Sequence, residues 1–106
     1  MATGILGSEN LSTATYTTVY TVPSNRYCVL SINMVNRGNQ AVTVRIAIAD
    51  NATPTNAEFI EYETELLGKG VLERTGIVVD AGKKIVAWTS GANVSAVVMG
   101  IETPTA

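Results

Sequence analysis

The sequence predicts an all-β chain: one antiparallel β-sandwich, Ig-like or jelly-roll-like, of about eight short strands behind an extended N-terminal arm. Three observations predict it. Apolar and polar residues alternate with a period of two in most runs between Tyr16 and Glu102, the spacing that sends successive side chains to opposite faces of a strand. Clusters of Gly, Asn, Asp, Pro and Ser break these runs at intervals of roughly 8–12 residues, as in all-β domains. No segment sustains a helical period. A chain of 106 residues makes one domain, large enough to fold without a disulfide or a metal. The expected division is an arm over 1–15 and a single sandwich over 16–106.

Residues 1–15 are rich in Gly, Ser, Thr and Ala, with isolated Ile5, Leu6 and Leu11. They read as an extended arm, docked either on a neighbour or on its own domain. The first expected strand, Tyr16 to Val22, is rich in Thr, Val and Tyr. Pro23-Ser24-Asn25 ends it. In the second, Tyr27 to Asn36, the residues Cys28, Leu30, Ile32 and Met34 share a core face. Arg37-Gly38-Asn39-Gln40 reads as a hairpin-like turn, with Gly38 and Asn39 tolerating positive φ. In Ala41 to Ala49, Val42, Val44, Ile46 and Ile48 point inward while Thr43, Arg45 and Ala47 point outward.

The irregular stretch from Asp50 to Ala57 is long enough to cross between sheets. It holds a short helical turn capped by Thr53 or Thr55. Phe59 to Thr64 follows, with Ile60 and Tyr62 on one face and Phe59, Glu61 and Glu63 on the other. Val71 to Val79 reads as two short strands or one bent at Gly76. Asp80 to Lys83 is a tight turn before the strand Lys84 to Ser90, and Gly91-Ala92-Asn93 is the last turn. The final strand, Val94 to Glu102, is apolar on both faces: Val94, Ala96 and Val98 on one, Val97, Met99 and Ile101 on the other. Such a strand is either covered twice or faces a second subunit.

Net charge is −2, from 7 basic and 9 acidic residues. That balance argues against an electrostatic grip on nucleic acid, and Lys83-Lys84 reads as a solvated tip. No stretch approaches the roughly 20 apolar residues of a membrane span. Met1 to Gly7 lacks the basic start and long apolar core of a signal peptide, so synthesis and assembly in a cytoplasm are expected. There is no histidine, and Cys28 alone cannot form an internal disulfide. Neither a metal nor another cofactor is expected, and Cys28 reads as a buried hydrophobe. Charged residues are only 15% of the chain against 46% hydrophobic ones, so part of the surface must be neutral or apolar, as in subunits of larger assemblies.

Glu58, Glu61, Glu63 and Glu65 crowd one segment. A calcium or paired-carboxylate site is conceivable there; a solvated edge that discourages aggregation accounts for the same residues. The serines have no histidine to activate them, so no catalytic residue is assigned. Trp88, Tyr16, Tyr20, Tyr27 and Tyr62 could stack on sugars or bases, or simply pack across strands. Arg74, if turned inward, needs an acceptor.

The runs Val19-Tyr20-Thr21-Val22-Pro23, Asn33-Met34-Val35-Asn36-Arg37-Gly38, Val44-Arg45-Ile46-Ala47-Ile48, Glu58-Phe59-Ile60-Glu61-Tyr62 and Val71-Leu72-Glu73-Arg74-Thr75-Gly76 lie within residues 16–102. Together they resemble small β-sandwich structural proteins of tailed bacteriophages. The resemblance implies a virion component, a capsid decoration (cement) protein or a tail, baseplate or fibre module. It transfers no catalytic or ligand residue. It implies a homo-oligomer, trimer or dimer, that meets the major capsid protein or other virion proteins. The alternative tail-side role would include contact with a receptor or glycan. The expected interface joins Ile5, Leu6 and Leu11 of the arm to Val94, Ala96 and Val98 of the last strand.

Overall fold

The computed structural model describes residues 3–105. Eight strands form within them: β1 (Thr3–Asn10), β2 (Thr17–Thr21), β3 (Arg26–Asn36), β4 (Val42–Ala49), β5 (Phe59–Leu66), β6 (Val71–Val79), β7 (Lys84–Thr89) and β8 (Val94–Pro104). They make two four-stranded antiparallel sheets, ordered β1-β8-β3-β6 and β2-β7-β4-β5. The strands thus pair as nested partners, first with last and inward to β4 with β5. This is the eight-stranded jelly roll of two Greek keys, which decides against an Ig-like order.

The alternation read from the sequence builds the core. Leu30, Ile32 and Met34 of β3 meet Val44 and Ile46 of β4, Ile85 of β7, and Val94, Ala96 and Val98 of β8, all essentially without solvent contact. Cys28 is a buried free thiol in this layer, as its place in the alternation predicts.

Several expectations are corrected. The arm expected over 1–15 is, from Thr3 to Asn10, the edge strand β1, antiparallel to β8. Its register shifts between Ile5 and Gly7, so its side chains change face midway and show no steady period. The Leu11 amide then donates to the Val94 carbonyl at 2.9 Å, and Leu11 enters the core. The sandwich domain therefore includes these residues and does not start at 16.

The connections are reversed from expectation. The stretch 50–58 does not cross; it returns β4 to its sheet neighbour β5. The short turns after β3 and β7 make crossings between sheets. Neither Gly38 nor Asn39 has positive φ, because no tight hairpin is formed there. Residues 71–79 are one strand, kinked at Gly76, whose φ of +68° favours glycine. The expected helical turn is a 3-10 turn over Asn56–Glu58, with Thr55 at its cap.

Two polar knots close the ends of the sandwich. At one, the buried Asn36 carboxamide accepts from the Gly38 amide at 2.9 Å and donates to the carbonyls of Gln40 at 2.7 Å and Leu66 at 3.2 Å. At the other, the Tyr20 hydroxyl donates to buried Glu102 and lies 3.2 Å from the Cys28 sulfur. Burial, followed by these two hydrogen bonds, pushes the Tyr20 phenol above its ordinary pKa of 10.0.

Candidate functional site

The outer face of the second sheet carries a cluster centred on Arg45. Arg45 of β4 stands directly opposite Trp88 of β7, and its guanidinium carbon lies 3.9 Å from the Trp88 ring centroid. On the other side β4 pairs with β5, where a bulge intervenes. Val44 faces Thr64 and Ile46 faces Glu61, so Tyr62 and Glu63 together stand opposite Arg45. Glu63 takes a left-handed φ of 53° at this point.

The bulge is why strict alternation fails in β5. It sends Glu63 to Arg45 and leaves Glu61 with other partners. Arg45 donates to both Glu63 oxygens, Nε at 3.1 Å and Nη2 at 3.0 Å, and Nη1 donates to the Tyr16 hydroxyl at 2.7 Å. The guanidinium carbon is 4.7 Å from the Tyr62 ring centroid. Attraction to the ring faces and the planar fork both suit arginine over lysine.

Beneath this lies a second small core. Ala47, Ala49 and Val86 point away from the main core yet are buried, because Tyr16 and Phe59 cover them. Phe59 and Tyr62 meet edge to face at 4.9 Å. Beside them Asn56, Phe59 and Tyr62 line an open cavity of about 420 Å³. Tyr62 remains 57% exposed.

The glutamates of this segment do not gather. Glu61 accepts from Thr64 Oγ1 at 2.7 Å and pairs with Arg74, which also donates to the Ile60 carbonyl at 3.3 Å. Arg74 thereby finds its acceptor and ties β6 to β5 across the sheets. The Glu58 carboxylate accepts from the Thr55 amide at 2.8 Å and the Asp50 amide at 3.0 Å. Among the described residues no group of three His, Cys, Asp or Glu side chains stands at metal-binding distance.

These bonds set a pH response. The Thr55 and Asp50 amides hold Glu58 below the ordinary 4.5, the Thr64 hydroxyl and Arg74 do so for Glu61, and Arg45 does so for Glu63. The unfolded chain therefore takes up protons first on acidification. Their stabilising contribution is present above 4.5 and is lost as pH falls through the lower folded values. Tyr20 acts at the other limb: its phenol ionises first in the unfolded chain, so stability declines above about pH 10. Melting temperature followed from pH 2 to 11 should show a plateau with these two flanks; a Tm that is flat from pH 5 down to pH 2 would contradict the acid limb.

The outer face of the first sheet is different in kind. Its register lays Val78, Val29, Ile101 and Thr3 in one row across all four strands. Ser31, Met99 and Ile5 form the next row. Glu73, Asn33, Val97 and Ser8 form a third. Ile5, Val29, Val78 and Ile101 are between 46% and 69% exposed. Among the described residues Glu73 is the one charged side chain that the register puts on this face.

Of the six residues expected at an interface, only Ile5 lies on this exposed face. Val94, Ala96 and Val98 have no solvent contact and fill the core between the sheets, Leu11 joins them, and Leu6 packs against them half-buried. The outward face of β8 is the opposite one, with Val97, Met99 and Ile101. Arg45 was not singled out from sequence as a centre. Its signal is an outward-facing arginine amid four scattered tyrosines and one tryptophan, and only strand pairing brings three of those rings to it. No protein-family model matches the chain, and no curated protein matches it in sequence.

Proposed function

We propose that this chain is a non-enzymatic virion structural protein: a capsid decoration protein that binds an assembled shell as an oligomer and stabilises it. The observation that carries this reading is the outer face of the first sheet, where Ile5, Val29, Val78 and Ile101 stand exposed on four neighbouring strands and the register places a single charged side chain among the described residues. Exposed apolar surface of that continuity favours burial against other subunits. The resemblance of residues 16–102 to small phage structural proteins points the same way. The jelly roll also serves viral capsid and lectin domains, but it supports the reading by analogy alone. The mechanism is mass action: a protein that binds assembled subunits and not dissociated ones shifts the balance toward the shell.

Removing the protein from particles that carry it should lower their resistance to heat and osmotic shock, and adding it back should restore that resistance. Unchanged resistance would count against the reading. A second reading, a tail, baseplate or fibre subunit, is favoured by the exposed aromatic cluster around Arg45. It predicts few copies at one vertex where the first predicts many over the head, and immunogold labelling of particles separates the two.

A further inference from the structure

The cavity beside Tyr62 is independent of the apolar sheet face and stands on its own observations. We propose that Asn56, Phe59 and Tyr62 form a binding site for a neutral saccharide, with the Arg45 cluster as its rigid backing.

The geometry supplies both things a sugar ring requires. An exposed aromatic ring is presented by Tyr62, with Phe59 held against it edge to face at 4.9 Å. Such rings accept the C–H face of a sugar while their polar tips stay wet. A hydrogen-bonding group stands next to them: the Asn56 carboxamide, which makes no side-chain hydrogen bond within the fold among the described residues. An amide offers both donors and an acceptor to hydroxyls. The cavity, about 420 Å³, falls in the range of roughly 300–1,000 Å³ usual for ligand sites.

The site is also fixed before a ligand arrives. Glu58 clamps the amides of Thr55 and Asp50, which holds the 3-10 turn carrying Asn56. Arg45, forked onto Glu63 and stacked 4.7 Å from Tyr62, fixes the ring from the sheet side. Preorganisation of this kind removes much of the ordering cost of binding.

Charge selects the class of ligand. The one cation at the cluster is already neutralised by Glu63, and Glu61 is neutralised by Arg74, which leaves the carboxylate of Glu58 on the turn that carries Asn56. A phosphate backbone or an acidic glycan would meet net negative charge. An uncharged sugar meets none of that opposition.

The experiment uses the intact chain on an array of neutral and acidic oligosaccharides, followed by solution titration of the neutral ones that bind. Trp88, the sole tryptophan, lies 3.9 Å from Arg45 and reports the titration through its fluorescence. Neutral glycans should be retained in preference to acidic ones. Tyr62→Ala should weaken binding by at least about tenfold, and Asn56→Ala should weaken it less, both with a cooperative melting transition retained. Retention of acidic glycans only, retention of none, or wild-type affinity in Tyr62→Ala would each overturn the proposal. Loss of shell attachment in Tyr62→Ala without glycan binding by the wild type would make the patch a protein contact and overturn it as well. Substitutions on the first sheet's outer face should leave glycan binding intact, so failure of this site and failure of the shell reading are separable.

Discussion

Under the proposed shell-binding role, Val29→Lys combined with Ile101→Lys is expected to leave the chain folded and to abolish attachment to the shell. The two residues are direct neighbours in the β3–β8 register and both are substantially exposed in the isolated chain. Exposed substitutions of this kind shift stability by about 0.5 kcal/mol or less. In an assembled interface the outcome differs. Each lost apolar side chain removes up to about 1.5–3 kcal/mol of burial, and each new ammonium must be desolvated without a partner. Together they exceed about 3 kcal/mol, a loss of more than about a hundredfold in affinity. Co-sedimentation with stripped particles measures this directly. Wild-type binding by the double variant, with an unchanged melting curve, would remove the first sheet from the interface.

Gly100→Ala should have the largest effect on stability. A Cβ at this position would lie 2.3 Å from the Val29 carbonyl oxygen and 2.7 Å from the Leu30 Cα. Both are backbone atoms of the neighbouring strand and cannot rotate away. Relief requires β8 to move off β3, which opens a ladder running from Arg26 opposite Pro104 to Asn36 opposite Val94. Overpacking typically costs about 1–3 kcal/mol, and a rigid backbone obstacle belongs at or above the top of that range. For a domain of this size that is a drop in melting temperature of at least about 12 °C. Calorimetry that finds the variant within a few degrees of the wild type would show that the β3–β8 spacing yields easily.

Much of this architecture is written locally, and the part that is not has identifiable causes. β3 and β4 alternate because each has one face in the core, so their inward residues can be read directly. β8 is apolar on both faces, and alternation alone does not say which one is covered. The choice of Val94, Ala96 and Val98 as an interface therefore took the core for the surface. β1 is invisible because its pairing with β8 is made by backbone, with a register shift and small side chains. The Arg45 cluster depends on the β5 bulge, where one extra residue turns Glu63 to the face of Tyr62 and away from that of Glu61. Nothing within Phe59 to Leu66 announces that insertion, because it exists only relative to β4. Sheet membership is equally hidden, since the short turns cross and the long loop returns.

The nested order of the strands has a consequence for synthesis. β8, the last strand of the domain in chain order, lies between β1 and β3. While the ribosome is still adding residues 94–104, β1 has no sheet neighbour and one edge of β3 is bare. The pairing that joins the two chain ends closes the longest loop in the molecule, which makes it slow to form. A nascent chain stalled before Val94 consequently leaves the β3 edge unpaired and is open to association with other unfinished chains. The first strand must wait for the last, and closure of this sheet is timed by the emergence of residues 94–104 from the ribosome.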